Sequence, residues 1–270
     1  MLWAMNTFNQ INEWDLQTTN LSRTRKQLYE VAVLGTGAIE PHNVHLPYGQ
    51  DFFHTEYVTT ESCRKAWPKC QSVLRLPTIP FGVDCNLLGF PMTVSVTQAT
   101  LDKFVGEIFT SLRHHGLRKF VIVNGHGGNS FVPFVRQFQY DLDVHVFLVD
   151  WWMMGRDRYN EIFTAPDDHA GQFESSVGLE LFGKLVEMDK AAAPKVKPFR
   201  FEALRQGWVR TSRDFARMTD CCGTSNPIGA NKEAGRKYLE LVTDRLSAFL
   251  AEVACTPIDE DFPFAPIEEK

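Results

Sequence analysis

The 270-residue chain lacks the marks of several large protein classes. No stretch approaches the roughly 18 consecutive apolar residues that a membrane span requires, so no membrane segment is expected. The net charge is −5 at pH 7, with no basic excess of the kind that nucleic-acid binders carry. There is no G-x-G-x-x-G and no Walker-type lysine, hence no phosphate fingerprint. The six cysteines (Cys63, Cys70, Cys85, Cys221, Cys222 and Cys255) include no C-x-x-C pair. The adjacent Cys221 and Cys222 suit neither a routine disulfide nor a zinc knuckle. All six read as free thiols in a reducing cytoplasm, and none stands in a recognisable nucleophile context. The first twenty residues have neither a basic n-region nor an apolar h-region, so no secretory signal is expected. Internal repeats, low-complexity tracts and linkers are also missing. The expectation is one domain over residues 1–270, with an N-terminal extension to about residue 25 and a loosely held acidic tail over 257–270.

What is present is an ordinary globular composition, 44% apolar and 23% charged. Three short apolar runs read as strands covered on both faces: Tyr29–Gly35, Lys119–Gly125 and Val144–Asp150. Ser72–Ile79 is a fourth candidate. Helical patterns alternate with them. One places Leu101, Phe104, Val105, Ile108 and Leu112 on one stripe and stops at Gly116; a second surrounds Pro133; a third begins at about Glu174. The last runs over about 232–253, with Tyr238, Leu239, Val242, Leu246, Phe249 and Leu250 facing inward. Between Asp51 and Ser72 the pattern assigns no element. Residues 191–223 are irregular and read as an excursion, either at a subunit interface or over the site. Alternating strands and helices predict an α/β fold, a three-layer α/β/α sandwich with a mostly parallel sheet.

In such sheets ligands bind beyond the carboxyl ends of the strands, and polar clusters fall at those ends. The first is "IEPHNVHLPYGQD", with Glu40, His42, His45 and Asp51. Glu40 and His42 are two residues apart, so in an extended segment both side chains face the same way. The loop through Pro47 and Gly49 can fold Asp51 back to the same point, and a carboxylate can bridge two cations. Read alone, the segment is either a polar surface loop or a metal site, and His45 either a ligand or a brace for the loop. The second cluster is "NGHGGN", in which glycines let the backbone approach a ligand around His126. The third is "DDHAGQFESS": Asp168 stands beside His169, an arrangement suited to proton transfer, and Glu174 falls in the first turn of a helix. His54 is a candidate for a supporting hydrogen bond. Trp151 and Trp152 are candidates for pocket lining or for core packing.

Taken together these clusters resemble the creatininase family. The residues that carry the resemblance are "GAIEPHNVHLPYGQD", the intact "NGHGGN", "HAGQFESS" and, more weakly, "GTSNPIGANKEAGRKYL", in order from Leu34 to about Leu239. The resemblance implies a creatininase-like α/β/α domain with a binuclear site, two divalent ions (zinc or manganese, iron as a further option) held by Glu40, His42, Asp51, His126 and Glu174, with Asp51 bridging. His169 would shuttle a proton and Asp168 would orient it. The implied chemistry is hydrolysis of a non-peptide C–N amide bond by a metal-bound hydroxide, on a small cyclic amide or a formamide. Alternatives are a formylaminopyrimidine deformylase-like or peptide-maturation activity, or a non-catalytic binding module on the same fold. The resemblance further implies a homo-oligomer, a hexamer, acting on a small molecule; the charge balance and the lack of long apolar runs point to no nucleic-acid or membrane partner. The chain departs from creatininase proper in two places: Gly128 stands where a further metal-binding Glu is found, and Ala165 where a pocket Trp is found. Both weigh against creatinine itself as substrate.

Overall fold

A computed structural model describes residues 10–265, so residues 1–9 of the expected N-terminal extension and 266–270 of the expected tail lie outside the described residues. Four parallel strands form one sheet: β1 (Val31–Thr36), β2 (Val73–Arg75), β3 (Lys119–Asn124) and β4 (His145–Asp150), in the order β2-β1-β3-β4. Every residue of β1 and β3 is buried, which is why these segments read as unbroken apolar runs. Alternate side chains serve opposite faces. Val31, Val33, Val121 and Val123 enter one core; Ala32, Leu34, Phe120 and Ile122 enter the other. β2 covers three residues of the expected Ser72–Ile79 strand. Pro77 and Pro80 interrupt the ladder, and Ile79 returns only as an isolated bridge to Thr36.

Five longer helices cover the sheet: α1 (Gln50–Cys70), α2 (Gln98–His114), α3 (Val132–Leu142), α4 (Gln172–Phe182) and α5 (Lys232–Cys255). α2 and α3 pack their apolar stripes on one face, around Leu101, Val105 and Phe109. α1, α4 and α5 cover the other, where Val58, Val177, Tyr238, Leu239, Val242 and Leu246 form the core. The result is a single-domain α/β fold in three layers. α5 begins at an Asn231 cap whose side chain accepts the Ala234 N–H at 2.9 Å.

α1 is the element that the apolar pattern leaves unassigned. Its buried face is largely polar: Gln50, Asp51, His54, Thr55, Thr59, Thr60 and Ser62 are all inside. A helix buried through hydroxyls and amides has no 3.6-residue apolar period. Side-chain contacts tie down parts of the described residues near both termini. Asp15 is buried in an ion pair with Arg75 at 3.1 Å. The segment after Pro257 is mostly exposed, yet the Phe262 ring stands edge-on to His145 with centroids 4.6 Å apart.

Candidate metal centre

The loop after β1, the first turn of α1, the loop after β3 and the first turn of α4 meet beyond the carboxyl edge of the sheet. They bring Glu40, His42, Asp51, His126 and Glu174 together from four segments of the chain. Asp51 is central. Its Oδ1 lies 3.1 Å from His42 Nε2 and its Oδ2 lies 3.0 Å from His126 Nδ1, so one carboxylate faces two imidazoles from different loops. Glu40 Oε1 lies 3.2 Å from His126 Nδ1 and 3.7 Å from His42 Nε2. Glu174 Oε2 approaches His42 Nε2 at 3.9 Å. Three ligand triads result: Glu40–Asp51–His126 and His42–Asp51–Glu174, which share Asp51, and Glu40–His42–His169.

Local structure fixes each donor. His42 Nδ1 donates to the Glu40 carbonyl at 3.1 Å, which turns Nε2 toward the carboxylates. Asp51 opens α1, whose close approach to the β3 loop depends on Gly125. A Cβ there would stand 1.6 Å from Thr55 Oγ1. Asn124 frames the His126 loop: its Oδ1 accepts the His126 N–H and the Asn129 side-chain N–H, and its Nδ2 donates to Asp150 at 2.9 Å. Asp167 caps α4 by accepting the Phe173 N–H at 2.7 Å and the Gly171 N–H at 3.1 Å, and so sets the turn that presents Glu174.

Burial and mutual charge shape the protonation. Burial raises Glu40 to about 7 and Glu174 to about 8. Burial opposes a charge on His42, but Asp51, Glu174 and Glu40 outweigh it and hold His42 up at about 10. The same balance lifts His126 well above the ordinary range, through Glu40, Asp51 and Asp84. Asp51 is driven the other way: the two imidazoles overcome its burial and keep it ionised far below the usual carboxylate range. Protons on the rings thus occupy the positions where cations would balance the same carboxylates. Glu40 Oε2 is buried without a hydrogen-bond partner among the described residues, and His42 Nε2, though 3.1 Å from Asp51 Oδ1, makes no aligned hydrogen bond. Buried polar atoms are rarely left so unless another partner completes them. Two imidazoles and three carboxylates around these atoms fit zinc or manganese.

The remaining predicted residues are placed as follows. His169 Nδ1 faces the cluster 3.8 Å from Glu40 Oε1, and Nε2 donates to the Pro41 carbonyl at 3.1 Å. Burial, then the charge on His42, hold His169 down at about 3, a neutral ring. Asp168 is adjacent in sequence, but its carboxylate pairs with Arg213 and accepts the Thr224 hydroxyl at 2.8 Å. The Pro41 carbonyl, and not Asp168, is thus the hydrogen-bond partner of the His169 ring here. His45 Nε2 meets Ser175 Oγ at 2.8 Å and ties the first loop to α4, the bracing role. His54 packs between Trp151 and Phe182. Trp151 is in the core, whereas Trp152 lines the cleft. That cleft, about 980 Å³, opens over the cluster, and Ala165, Arg213 and Phe215 also line it, so part of the 191–223 excursion lies over the site. The Phe215 ring stands edge-on to His169 at 5.3 Å. Sequence reasoning missed Asp84, Asp167 and Arg213. Asp167 carried a signal, an Asp a few residues before a helix start; Asp84 and Arg213 reach the site only through tertiary contacts.

A family model described as creatininase, creatinine amidohydrolase, matches residues 15–250. A creatinine amidohydrolase of Pseudomonas putida is 28% identical over 180 residues, 59% of this chain and 67% of that protein. A mycofactocin precursor peptide peptidase of Mycolicibacterium smegmatis is 27% identical over 209 residues, 75% of this chain and 79% of that one. A crystal structure from Bacteroides fragilis, provisionally described as a creatinine amidohydrolase, superposes with a TM-score of 0.84 at 29% identity, over 92% of this chain and 99% of that one. Creatininases solved in a zinc–zinc and a manganese form share the fold at TM-scores of 0.74 and 0.72, with 22% and 23% identity over 91% of this chain and 100% of theirs.

Proposed function

The chain belongs to the creatininase family and is a metal-dependent amidohydrolase; from that premise we propose that it cleaves a non-peptide C–N bond in a small amide, cyclic or formyl, at a binuclear centre. One observation carries the reading: the two oxygens of Asp51 face imidazoles of two separate triads. Glu40, Asp51 and His126 would hold one divalent ion, and His42, Asp51 and Glu174 the other. Bound there, such ions supply Lewis acidity toward an amide carbonyl and lower the pKa of a water. The protein's own part is orientation and proton handling. His169 has its Nε2–H committed to Pro41, so Nδ1 is the atom that can take a proton from the attacking water and return it to the leaving nitrogen. Its neutral state suits the accepting step. Trp152, Tyr159 and Phe215 give the cleft an apolar wall that a flat, uncharged amide would fit. Gly128 and Ala165 leave that cleft without the side chains creatininase proper carries, which argues for a substrate other than creatinine. We further infer a cytoplasmic homo-oligomer, supported by six unpaired cysteines and by the family resemblance. Among the described residues no helix is long and apolar enough to cross a membrane.

A second reading, cleavage of a peptide-derived amide during precursor maturation, is favoured by the mycobacterial relative and by a cleft roomy enough for more than one ring. Metal content by plasma mass spectrometry, followed by a panel of cyclic amides, formamides and short peptides, tests both. About two ions per chain and turnover of a small amide support the first reading. Turnover of peptides alone selects the second. No bound ion after reconstitution with zinc or manganese rejects the centre.

A further inference from the structure

Asp84 has no exposed surface, and neither of its carboxylate oxygens has an aligned hydrogen-bond partner among the described residues. Its close polar neighbour is His126 Nε2, 2.9 Å from Oδ1. A buried carboxylate supported in this way has no evident role in holding the fold, since solvating it by one imidazole alone is costly. Its backbone is nonetheless firmly placed. The Asp84 N–H donates to Ser95 Oγ at 2.9 Å, its carbonyl accepts the Leu87 N–H at 2.9 Å, and the preceding Val83 N–H donates to Asn129 Oδ1 at 3.0 Å. Asn129 closes the loop that carries His126, so the two segments are locked together with the carboxylate over the ring. The Val83 carbonyl lies 3.2 Å from the same Nε2. Nε2 thus faces two acceptors and Nδ1 two more, Glu40 and Asp51, so in the metal-free ring both nitrogens hold protons. When a cation takes the place of the Nδ1 proton, Nε2 keeps its own between Asp84 and the Val83 carbonyl. Gly128 makes this contact possible: a Cβ there would stand 2.2 Å from the Val83 carbonyl oxygen and 2.3 Å from His126 Nε2.

We propose that Asp84 is a positioning residue of the centre: it holds the Nε2 proton of His126, fixes the ring with Nδ1 toward Glu40 and Asp51, and so sets the affinity of that half of the centre for its cation. The inference rests on reading the cluster as a metal centre and adds a sixth residue that reaches the ion only through His126. A carboxylate behind a ligating imidazole orients the ring and raises its basicity, and loss of such a partner costs about 10–100-fold in affinity. The Val83 carbonyl remains as a weaker acceptor, so the loss should be partial.

The test is equilibrium titration of metal-free protein with zinc against a chromophoric chelator, for wild type, Asp84→Asn and Gly128→Ala. The expected result is one ion bound as in wild type and one bound about 10–100-fold more weakly in Asp84→Asn. Gly128→Ala, which keeps the carboxylate but crowds the ring, should weaken the same ion. Repeating Asp84→Asn in a Glu174→Ala background, which leaves only the Glu40–Asp51–His126 half, should show the loss on the single remaining ion. Unchanged zinc affinities in Asp84→Asn overturn the proposal. So does equal weakening of both ions together with a lower melting temperature, which would mark Asp84 as structural. If wild type itself takes up no zinc, the reading of the metal centre fails, and that result is distinct from either of these.

Discussion

The two triads that share Asp51 are built differently. In the His126 half the ring is gripped at both nitrogens, by Asp51 and Glu40 on one side and by Asp84 on the other, within 2.9–3.2 Å. In the His42 half the ring is held by the Glu40 carbonyl, and the third donor, Glu174, stands 3.9 Å from it on a partly exposed side chain facing the cleft. The His126 half is closed around its ring and preorganised, although Glu40, Asp51 and His126 border the cleft as Glu174 does; the His42 half is the looser of the two. A centre made this way can keep one cation tightly and leave the other more responsive to what fills the cleft. The Glu174 carboxylate is also restrained by accepting the Ala170 N–H at 2.6 Å, so its reach is set by the α4 cap rather than by the loop of His42.

The largest break in this comparison is to remove what both halves share. Asp51→Ala should abolish binding of both ions and lower kcat/KM by on the order of 10³-fold or more, as when a group on which a whole catalytic unit depends is deleted. Metal analysis beside a rate assay checks both. The halves then separate under single substitutions. His126→Ala and Glu174→Ala should each leave about one ion per chain, but the residual ion should be held more tightly in Glu174→Ala, which keeps the closed half. Equal residual affinities would erase the distinction between the two halves.

The same comparison predicts how pH acts. A cation can enter only as protons leave, so affinity rises with pH wherever the metal-free groups still hold protons. Glu40, at about 7, is deprotonated first; Glu174, at about 8, and His42, at about 10, follow. Both halves hold a raised imidazole, but the His42 half also holds the higher of the two carboxylates. Between pH 6 and 9 its affinity should climb about tenfold or more per pH unit, with proton release on loading visible by calorimetry in buffers of different ionisation enthalpy. An affinity for the second ion that is flat over this range would contradict the assignment of protons to this half.

Much of this centre was legible in the sequence because its donors sit in short loops at strand ends, where spacing alone places Glu40 beside His42 and glycines free His126. The helix that carries Asp51 was not. α5 shows its buried face as a repeat of Tyr238, Leu239, Val242, Leu246 and Leu250, whereas α1 buries Gln50, Thr55, Thr59 and Ser62. Hydroxyls there bond back to the helix, Thr55 to the Asp51 carbonyl and Thr59 to the Thr55 carbonyl, so burial comes without an apolar pattern to announce it. Asp84 and Arg213 were invisible for another reason: each acts across a contact between segments tens of residues apart, and no local period encodes such a contact.

The smallest expected effects on metal occupancy come from the pair adjacent in sequence, His169 and Asp168. His169→Ala should leave both ions bound and lower kcat by about 10²–10⁴-fold, the range for a lost proton-transfer group. Asp168 tests how far adjacency in sequence implies partnership. Its carboxylate is engaged by Arg213 and Thr224, while the Nε2 proton of His169 goes to the Pro41 carbonyl. Asp168→Asn keeps an acceptor for Thr224 and removes only the charge facing Arg213, on a partly exposed pair of the kind that contributes about 0–1 kcal/mol. It should therefore change kcat less than about tenfold and leave metal binding untouched. A loss as large as that of His169→Ala would mean that the acid reaches the ring during turnover, and that the Pro41 contact is exchanged for it when substrate is bound.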